Sequence, residues 1–297
     1  MAVVSQAITP EVLAAPPETG ALLRNALRLR RTQIGLGLVL LIVAIAIFGP
    51  RVAPHDPSAF VGVPSTVPVP GLLFGTDHIG QDVWSRFLNG GLTILALSTA
   101  ATALGLILGI AVVLVSAYSR NVLDDILMRL MDVILAFPQI MLALVAIATV
   151  GPNPLTIILA VGLTTMPRVA RVTRGAAQPV VERDFVAAAE AIGVARYRIL
   201  LSEVFPNVLS PLLVEASLRL TYAIGVIAAL AFLGFTINPG ASDWGLMINE
   251  NRIALTVQPW GVVLPVLAIA LLTMGTGLVG DGIARAAAGI DRSRGAA

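Results

Sequence analysis

The chain alternates between long apolar runs and short polar punctuation. Six runs approach or exceed the roughly 17–25 residues needed to cross a bilayer: Gln33–Val52, Leu92–Tyr118, Leu127–Val150, Leu155–Val172, Leu212–Ile237 and Pro259–Gly280. The first has the shortest uninterrupted stretch, Ile34–Phe48 before Gly49, Pro50 and Arg51. A signal peptide competes there, but a long region precedes it and no small-x-small cleavage site follows. It is read as a retained span. Pro138 and Pro167 are expected to kink the third span and the end of the fourth, which neighbouring helices tolerate. The pattern predicts an all-α integral membrane protein with six transmembrane helices. Residues 1–23 carry Pro10, Pro16 and Pro17 and no helical periodicity, which reads as a tail or an interfacial segment.

One polar segment differs from the rest. Asp184–Pro211 places Asp184, Glu190, Arg196, Arg198 and Glu203 within twenty residues, too many charges for burial in lipid. It is still patterned: Ala187, Ala188 and Ala189 favour helix, Gly193 interrupts, and Ile199, Leu200 and Leu201 resume an apolar face. This predicts helix, tight turn, helix, closed by Pro206 and Pro211. A compact amphipathic hairpin on one side of a bilayer suits the docking of a partner.

Arginine gives the orientation. With the N-terminus inside, fifteen arginines fall on inner segments (24, 28, 30, 31, 120, 129, 168, 171, 174, 183, 196, 198, 285, 292 and 294). Only Arg51, Arg86 and Arg252 fall outside, and Arg219 lies within a span. That asymmetry predicts a cytoplasmic hairpin and two cytoplasmic termini. The outer side receives a loop from Pro50 to Gly91 and a second near Asn238–Gln258.

Composition narrows the chemistry. Charged residues are 12% of 297, against about 25% in a soluble domain, and mean hydropathy is +0.91. There is no cysteine and no lysine. The first excludes disulfides and thiolate metal sites; the second disfavours a Walker-type phosphate loop on this chain. A net charge of +2 does not point to nucleic acid, because the arginines sort by membrane side.

Smaller features read mostly as structure. In the first outer loop Gly75 turns the chain, Thr76 or Asp77 can cap a helix, and Asp82 precedes Arg86 by four residues, a spacing for a surface ion pair. His55, Asp56, Asp77, His78 and Asp82 match no metal-ligand spacing, so no metal is expected. Glu215 and Arg219, at i and i+4 near the inner end of the fifth span, are expected to neutralise one another or to line an inner vestibule; Asp132, one turn after Arg129, reads the same way. Gln139, Thr164, Thr165, Ser217 and Thr221 are candidates for a pore, or for in-membrane bonds to backbone and neighbouring helices. Gly105 and Gly109 form a small-xxx-small packing face. Gly275, Gly277 and Gly280 spell GxGxxG inside an apolar span, where a dinucleotide site has no strand to follow.

Together these segments resemble a known family. The hairpin is similar to the EAA coupling segment of ABC-importer permeases: Ala188 and Ala189 match its alanines, Gly193 its glycine and Pro206–Asn207 its closing pair. Two positions depart: Ala187 stands where glutamate is frequent, and Glu203 where histidine is. Glu190 falls too late to be the motif glutamate. FGTDHIGQDVWSRFLNGG (74–91), LMRLMDVILAFP (127–138), DWGLMINENR (243–252) and GDGIARAAAGID (280–291) resemble, in the same order, segments of the dipeptide, oligopeptide and nickel permeases of the C-subunit type. In the last, alanines replace the usual charges.

The resemblance implies a five-helix permease core plus one N-terminal helix, in a bacterial inner membrane. It divides the chain into a cytoplasmic tail (1–32), the first span and outer loop (33–91), the core with its coupling hairpin at 184–211 (92–282), and a cytoplasmic tail (283–297). It further implies a pore subunit rather than an enzyme, for short peptides, or for nickel or another small solute. The expected partners are a second permease subunit, two ATPase subunits carrying ATP and magnesium, and an extracytoplasmic binding protein; the chain itself binds no cofactor. Asp184, Ala187, Ala188, Ala189, Gly193, Arg196, Arg198, Glu203, Pro206 and Asn207 would couple to the ATPase. Gly75, Thr76, Asp77, Gly80, Asp82, Arg86, Trp244 and Gly245 would shape the binding-protein dock; Asp132, Gln139, Glu215 and Arg219 would serve the pathway or an intramembrane ion pair. An ion-coupled secondary transporter is the alternative. No inverted repeat is evident, and spans hold few acids. A membrane enzyme lacks HExxH, GxSxG or a cysteine nucleophile.

Overall fold

The computed structural model describes residues 19–119, 122–237, 240 and 242–288. Apart from three isolated bridges in the first outer loop, the described residues build helices and turns, as the apolar pattern predicts. In order these are α1 (Thr19–Arg28), α2 (Arg30–Val52), α3 (Val83–Asn89), α4 (Gly91–Ser119), α5 (Val122–Leu135) and α6 (Gln139–Val150). Then come α7 (Pro154–Val181), α8 (Asp184–Ala191), α9 (Arg196–Ile199), α10 (Phe205–Phe232), α11 (Trp244–Asn251) and α12 (Trp260–Ala287). Five long apolar segments are able to cross a membrane, and a sixth span exists if the bent pair α5–α6 counts as one.

That pair departs from a simple kink. The two helices meet at 86°. Proline has no N–H to continue a helix and clashes with the preceding turn, so Ala136 and Phe137 close α5, and Pro138 opens α6. Pro167, by contrast, is absorbed: α7 continues past it to Val181, well beyond the expected end at Val172. α1 also exceeds expectation, burying Leu22 and Ala26 while Arg24 and Arg28 face outward.

Lipid is as apolar as leucine, so helices in it associate through close contact rather than through exclusion from water. The packing follows that rule. A Cβ on Gly105 would sit 3.0 Å from the Gly162 carbonyl and from Thr165, and one on Gly109 would sit 2.6 Å from Val169. The expected small-xxx-small face is therefore the seam between α4 and α7. Gly35 and Gly275 similarly bring α2 and α12 together. Gly280 abuts Ser217, so the GxGxxG stretch is a packing surface. The threonines act locally: Thr164 and Thr165 donate to carbonyls one turn back on α7, and Thr221 donates to Thr276 across α10 and α12 at 2.9 Å.

Gly109→Leu is expected to part α4 from α7, at a cost of about 1–3 kcal/mol for overpacking. The thermal midpoint in detergent should fall, whereas Gly37→Leu, where nothing lies within 4 Å, should leave it unchanged.

Candidate functional site

Three polar centres interrupt the apolar body. The first is a cap built from the two loops expected on the outer side. Gly75 (φ +71°) and Gly80 (φ +96°) take left-handed turns and pass so close to Thr66 and Gly62 that a side chain would strike their carbonyls. These turns deliver Asp77, whose Oδ1 accepts from the N–H groups of Ile79 (3.0 Å) and Gln81 (2.8 Å). Its other oxygen accepts from Arg86 Nη1. Arg86, 1% exposed, also donates through Nη2 to Glu250 at 2.8 Å, tying the first loop to α11.

The expected Asp82–Arg86 surface pair is thus corrected. Asp82 is the N-cap of α3, accepting from Trp84 and Ser85, and His55 Nδ1 lies 3.1 Å from its Oδ2. The chain needs a cap for α3 and a partner for a buried cation, and it uses different carboxylates for each. Thr76 also caps no helix; its hydroxyl donates to Val63 O and accepts from Thr66 N. Glu250 had been quoted only as part of a similar segment; no local spacing marks a partner 164 residues away.

An aromatic stack lines the cap. Phe74, Trp84, Phe87 and Trp244 follow one another at centroid distances of 5.1, 5.5 and 5.6 Å, with Trp260 beside Phe74 at 5.2 Å. Trp244 is fully buried, donates to Phe87 O at 2.9 Å, and is approached by Gly90 and Gly91. Gly245 lets α11 lie against α10, a Cβ there falling 2.5 Å from Ala228 O. Asp243 caps α11 through Gly245 and Leu246, and burial pushes its carboxyl above the usual range against those two bonds.

The second centre is the hairpin. Gly193 (φ +80°) ends α8 in a left-handed turn, with N–H donation from Gly193 to Glu190 O and from Val194 to Ala189 O. Ala187 and Ala188 lie exposed, Ala189 is half-buried, and Val186 is the buried residue of α8. Arg196 lies 3.5 Å from Glu190, while Asp184, Arg198 and Glu203 are exposed. The second arm is not closed by proline: α9, a π-helical turn (Leu200–Val204) and α10 form one continuous helical segment, with Pro206 in the first turn of α10 and Pro211 inside it. Asn207 donates back to Glu203 O at 2.6 Å. Ile199, Leu200, Val204 and Val208 are buried, and the latter three cluster with Val169, Ala177 and Val180 of α7. Phe185, Ile192 (81% exposed), Tyr197 and Leu201 are left uncovered.

The third centre lies where α5 and α6 meet α7 and α10. Arg171 donates to Asp132 at 2.5 Å and Arg174 to Asp124 at 2.6 Å; Arg129 is not the partner of Asp132. Arg168 donates to Gln139 Oε1 at 2.8 Å, and Gln139 Nε2 donates to Thr165 at 3.2 Å. Glu215 and Arg219 approach to 2.8 Å as expected, with Arg219 also 5.0 Å over the Tyr222 ring.

Residues 101–288 match the family described as binding-protein-dependent transport system inner membrane component, and residues 24–64 match the N-terminal TM domain of oligopeptide transport permease C. The chain belongs to that family of inner membrane permease components. It is 36% identical, over 84% of either chain, to a di/tripeptide transport system permease protein of Pseudomonas aeruginosa. It is 36% identical, over 88% of either, to a putative peptide transport system permease protein of Brucella suis. A glutathione transport system permease protein of Escherichia coli is 33% identical over 86% of either chain. The permease is therefore a relative of the peptide-type ABC-importer permeases that its segments resemble.

Two outcomes follow for the cap. Arg86→Gln leaves Asp77 buried without its cation, and removing one partner of a buried pair costs about 3–5 kcal/mol. All three tryptophans sit in this cap, so their emission should report the loss directly, by a red shift in the purified permease. Asp243→Asn keeps an oxygen to cap α11 and removes a charge that burial disfavours. An acid whose folded value is raised binds its proton more readily folded than unfolded, so its ionisation costs stability as pH rises above 3.8. The variant should match the wild-type melting point in acid and exceed it near neutral pH.

Proposed function

We propose that this permease is a pore subunit of an ATP-driven importer for short peptides in a bacterial inner membrane. It works with a second permease subunit, two ATPase subunits that bind ATP and magnesium, and an extracytoplasmic binding protein. The reading rests chiefly on the hairpin. Its first arm presents alanines and uncovered apolar side chains, a combination that in a soluble segment marks a protein contact; its second arm runs without a joint into α10. A partner that grips α8 therefore moves a membrane-crossing helix.

The arginine asymmetry supports a cytoplasmic hairpin and cytoplasmic termini, on the side where ATP is. The cap, at the other end of α10, α4 and α12, then faces the binding protein with Trp244 and Gly245 beneath its surface. The di/tripeptide and glutathione systems named for two relatives support peptides as the cargo. Asp184, Arg196, Arg198 and Glu203 make the charged rim of the ATPase contact.

The test is a mild-detergent pull-down of the tagged permease from its native membrane, with ATPase activity assayed on the eluate. Co-elution of ATPase subunits, lost when Ala188–Gly193 is scrambled, is expected. A folded chain that elutes without any ATPase, and transports in liposomes on an ion gradient, would favour a secondary transporter instead. Gly193→Val forces a β-branched residue into the left-handed region, a cost of about 1–2 kcal/mol. It should cut ATP-driven uptake several-fold with the complex still recovered, and Gly193→Ala should cut it less.

A further inference from the structure

Arg168 stands apart from the other arginines of α7. Arg171 and Arg174, one and two turns on, each hold a carboxylate. Arg168 makes no salt bridge among the described residues; its one side-chain partner there is the neutral carbonyl of Gln139. Glu215, which feels its charge, already pairs with Arg219. Among the described ion pairs of this centre, Asp124, Asp132 and Glu215 are taken by Arg174, Arg171 and Arg219, which leaves Arg168 without one.

Its position makes that lack costly. Arg168 lies roughly 20 Å along α7 from its Pro154 end, so it is the first of the inner-side arginines and stands at the inner end of the ~30 Å that a span must cover. A charge at such depth is expensive without a counter-ion and usually serves a function. Gln139 is the first residue after Pro138, so the break between α5 and α6 places an amide against the guanidinium. Gln139 is itself fixed by Thr165, one turn from Gly162 on the α4–α7 seam. Arg168 is only half-buried, and its remaining N–H groups take no acceptor from the described residues. A guanidinium held by one edge presents its other edge as a fork, the geometry that carboxylates fit.

We propose that Arg168, oriented by Gln139, is a recognition point for the carboxylate of the peptide as it crosses the membrane. The inference rests on the peptide-importer reading and names the chemical group that this site takes. Among the described residues the cation has no acid of its own, which leaves its open edge to one from the cargo. The paired Arg171 and Arg174 are already neutralised and hold α5 against α7. A fork that binds one carboxylate at a time, beside an amide that keeps the side chain in place when it is empty, gives passage without a deep trap.

The deciding variants are Gln139→Glu and Arg168→Gln, assayed in proteoliposomes of the complete importer with its binding protein and ATP. The probes are radiolabelled dialanine, trialanine and glutathione. Gln139→Glu is nearly isosteric and supplies Arg168 with a permanent carboxylate. It should raise or preserve the melting point of the complex while lowering maximal uptake about tenfold, the worth of one charge-assisted hydrogen bond. A merely structural Arg168 predicts the opposite, a better-paired span and undiminished uptake. Arg168→Gln should lower uptake to a similar degree, and Arg168→Lys should restore part of it. Undiminished uptake in Gln139→Glu and Arg168→Gln overturns the recognition point and leaves the importer reading standing. If Arg168→Gln fails to assemble, Gln139→Glu decides alone. If the wild-type complex carries none of the three probes, the peptide reading itself falls, and this inference with it.

Discussion

The close approach of α4 and α7 is the contact on which the other features depend. Between helices in lipid there is little apolar gain to be had, and what holds them is the number of atoms that reach van der Waals distance. Gly105, Gly109 and Gly162 remove the side chains that would keep the backbones apart. Once α7 is seated, it runs past a buried Pro167 to Val181, while Thr164 and Thr165 donate to carbonyls one turn back. The same seating sets the azimuth of α7. Arg168, Arg171 and Arg174 then fall in one row toward α5 and α6, and Val169, Ala177 and Val180 fall toward the hairpin's second arm.

The cap solves a different problem. In the importer reading the cap lies outside the bilayer, where water is available to every polar group, yet Arg86 and Asp77 are buried almost completely. Such a pair gains little over an apolar substitute and penalises heavily the loss of one partner. Its value lies in specificity: Arg86 has two acceptors on different segments, so the first loop docks on α11 in one register. The aromatic stack alone would tolerate sliding, since flat rings accept many offsets. Gly75 and Gly80 are needed because Asp77 must turn inward within a few residues, and only glycine takes those turns without strain.

Much of this was legible in the sequence, for a plain reason. In a membrane the length of an apolar run, the side that arginine prefers and the placing of glycine are each dictated by the solvent, so a one-dimensional pattern carries three-dimensional content. The spans, the Gly193 turn and the Glu215–Arg219 pair could all be read from spacing, because i to i+4 neighbours are neighbours in the fold. Partners set by tertiary geometry could not. Arg86 chose Asp77 and Glu250 over Asp82, because the cap of α3 consumed the nearer carboxylate. Asp132 chose Arg171 over Arg129, because the break at Pro138 turns α5 onto α7. The extent of that break was equally hidden: one proline gives a sharp bend at 138 and an uninterrupted helix at 167. The difference lies in the surroundings, a buried Pro167 within packed α7 against an exposed Pro138, and not in the residue.

The hairpin and the cap share α10. From Arg196 to Phe232 the chain is helical without interruption, roughly 55 Å at 1.5 Å per residue. At one end the Gly193 turn joins it to α8; at the other, Gly245 and Asn249 press α11 against its last turns, Asn249 donating to Phe232 O. A packed helix does not compress, so displacement at one end must appear at the other or be lost in bending. The one irregularity is the π-turn at Leu200–Val204, and π-turns in helices concentrate at functional positions. Leu200 and Val204 stay buried against α7 through that turn, which argues that it sets the direction of the arm rather than acting as a free joint. In the proposed importer, movement of the hairpin would therefore reach α11 through α10, and with it Glu250, the residue that fastens the cap to Arg86.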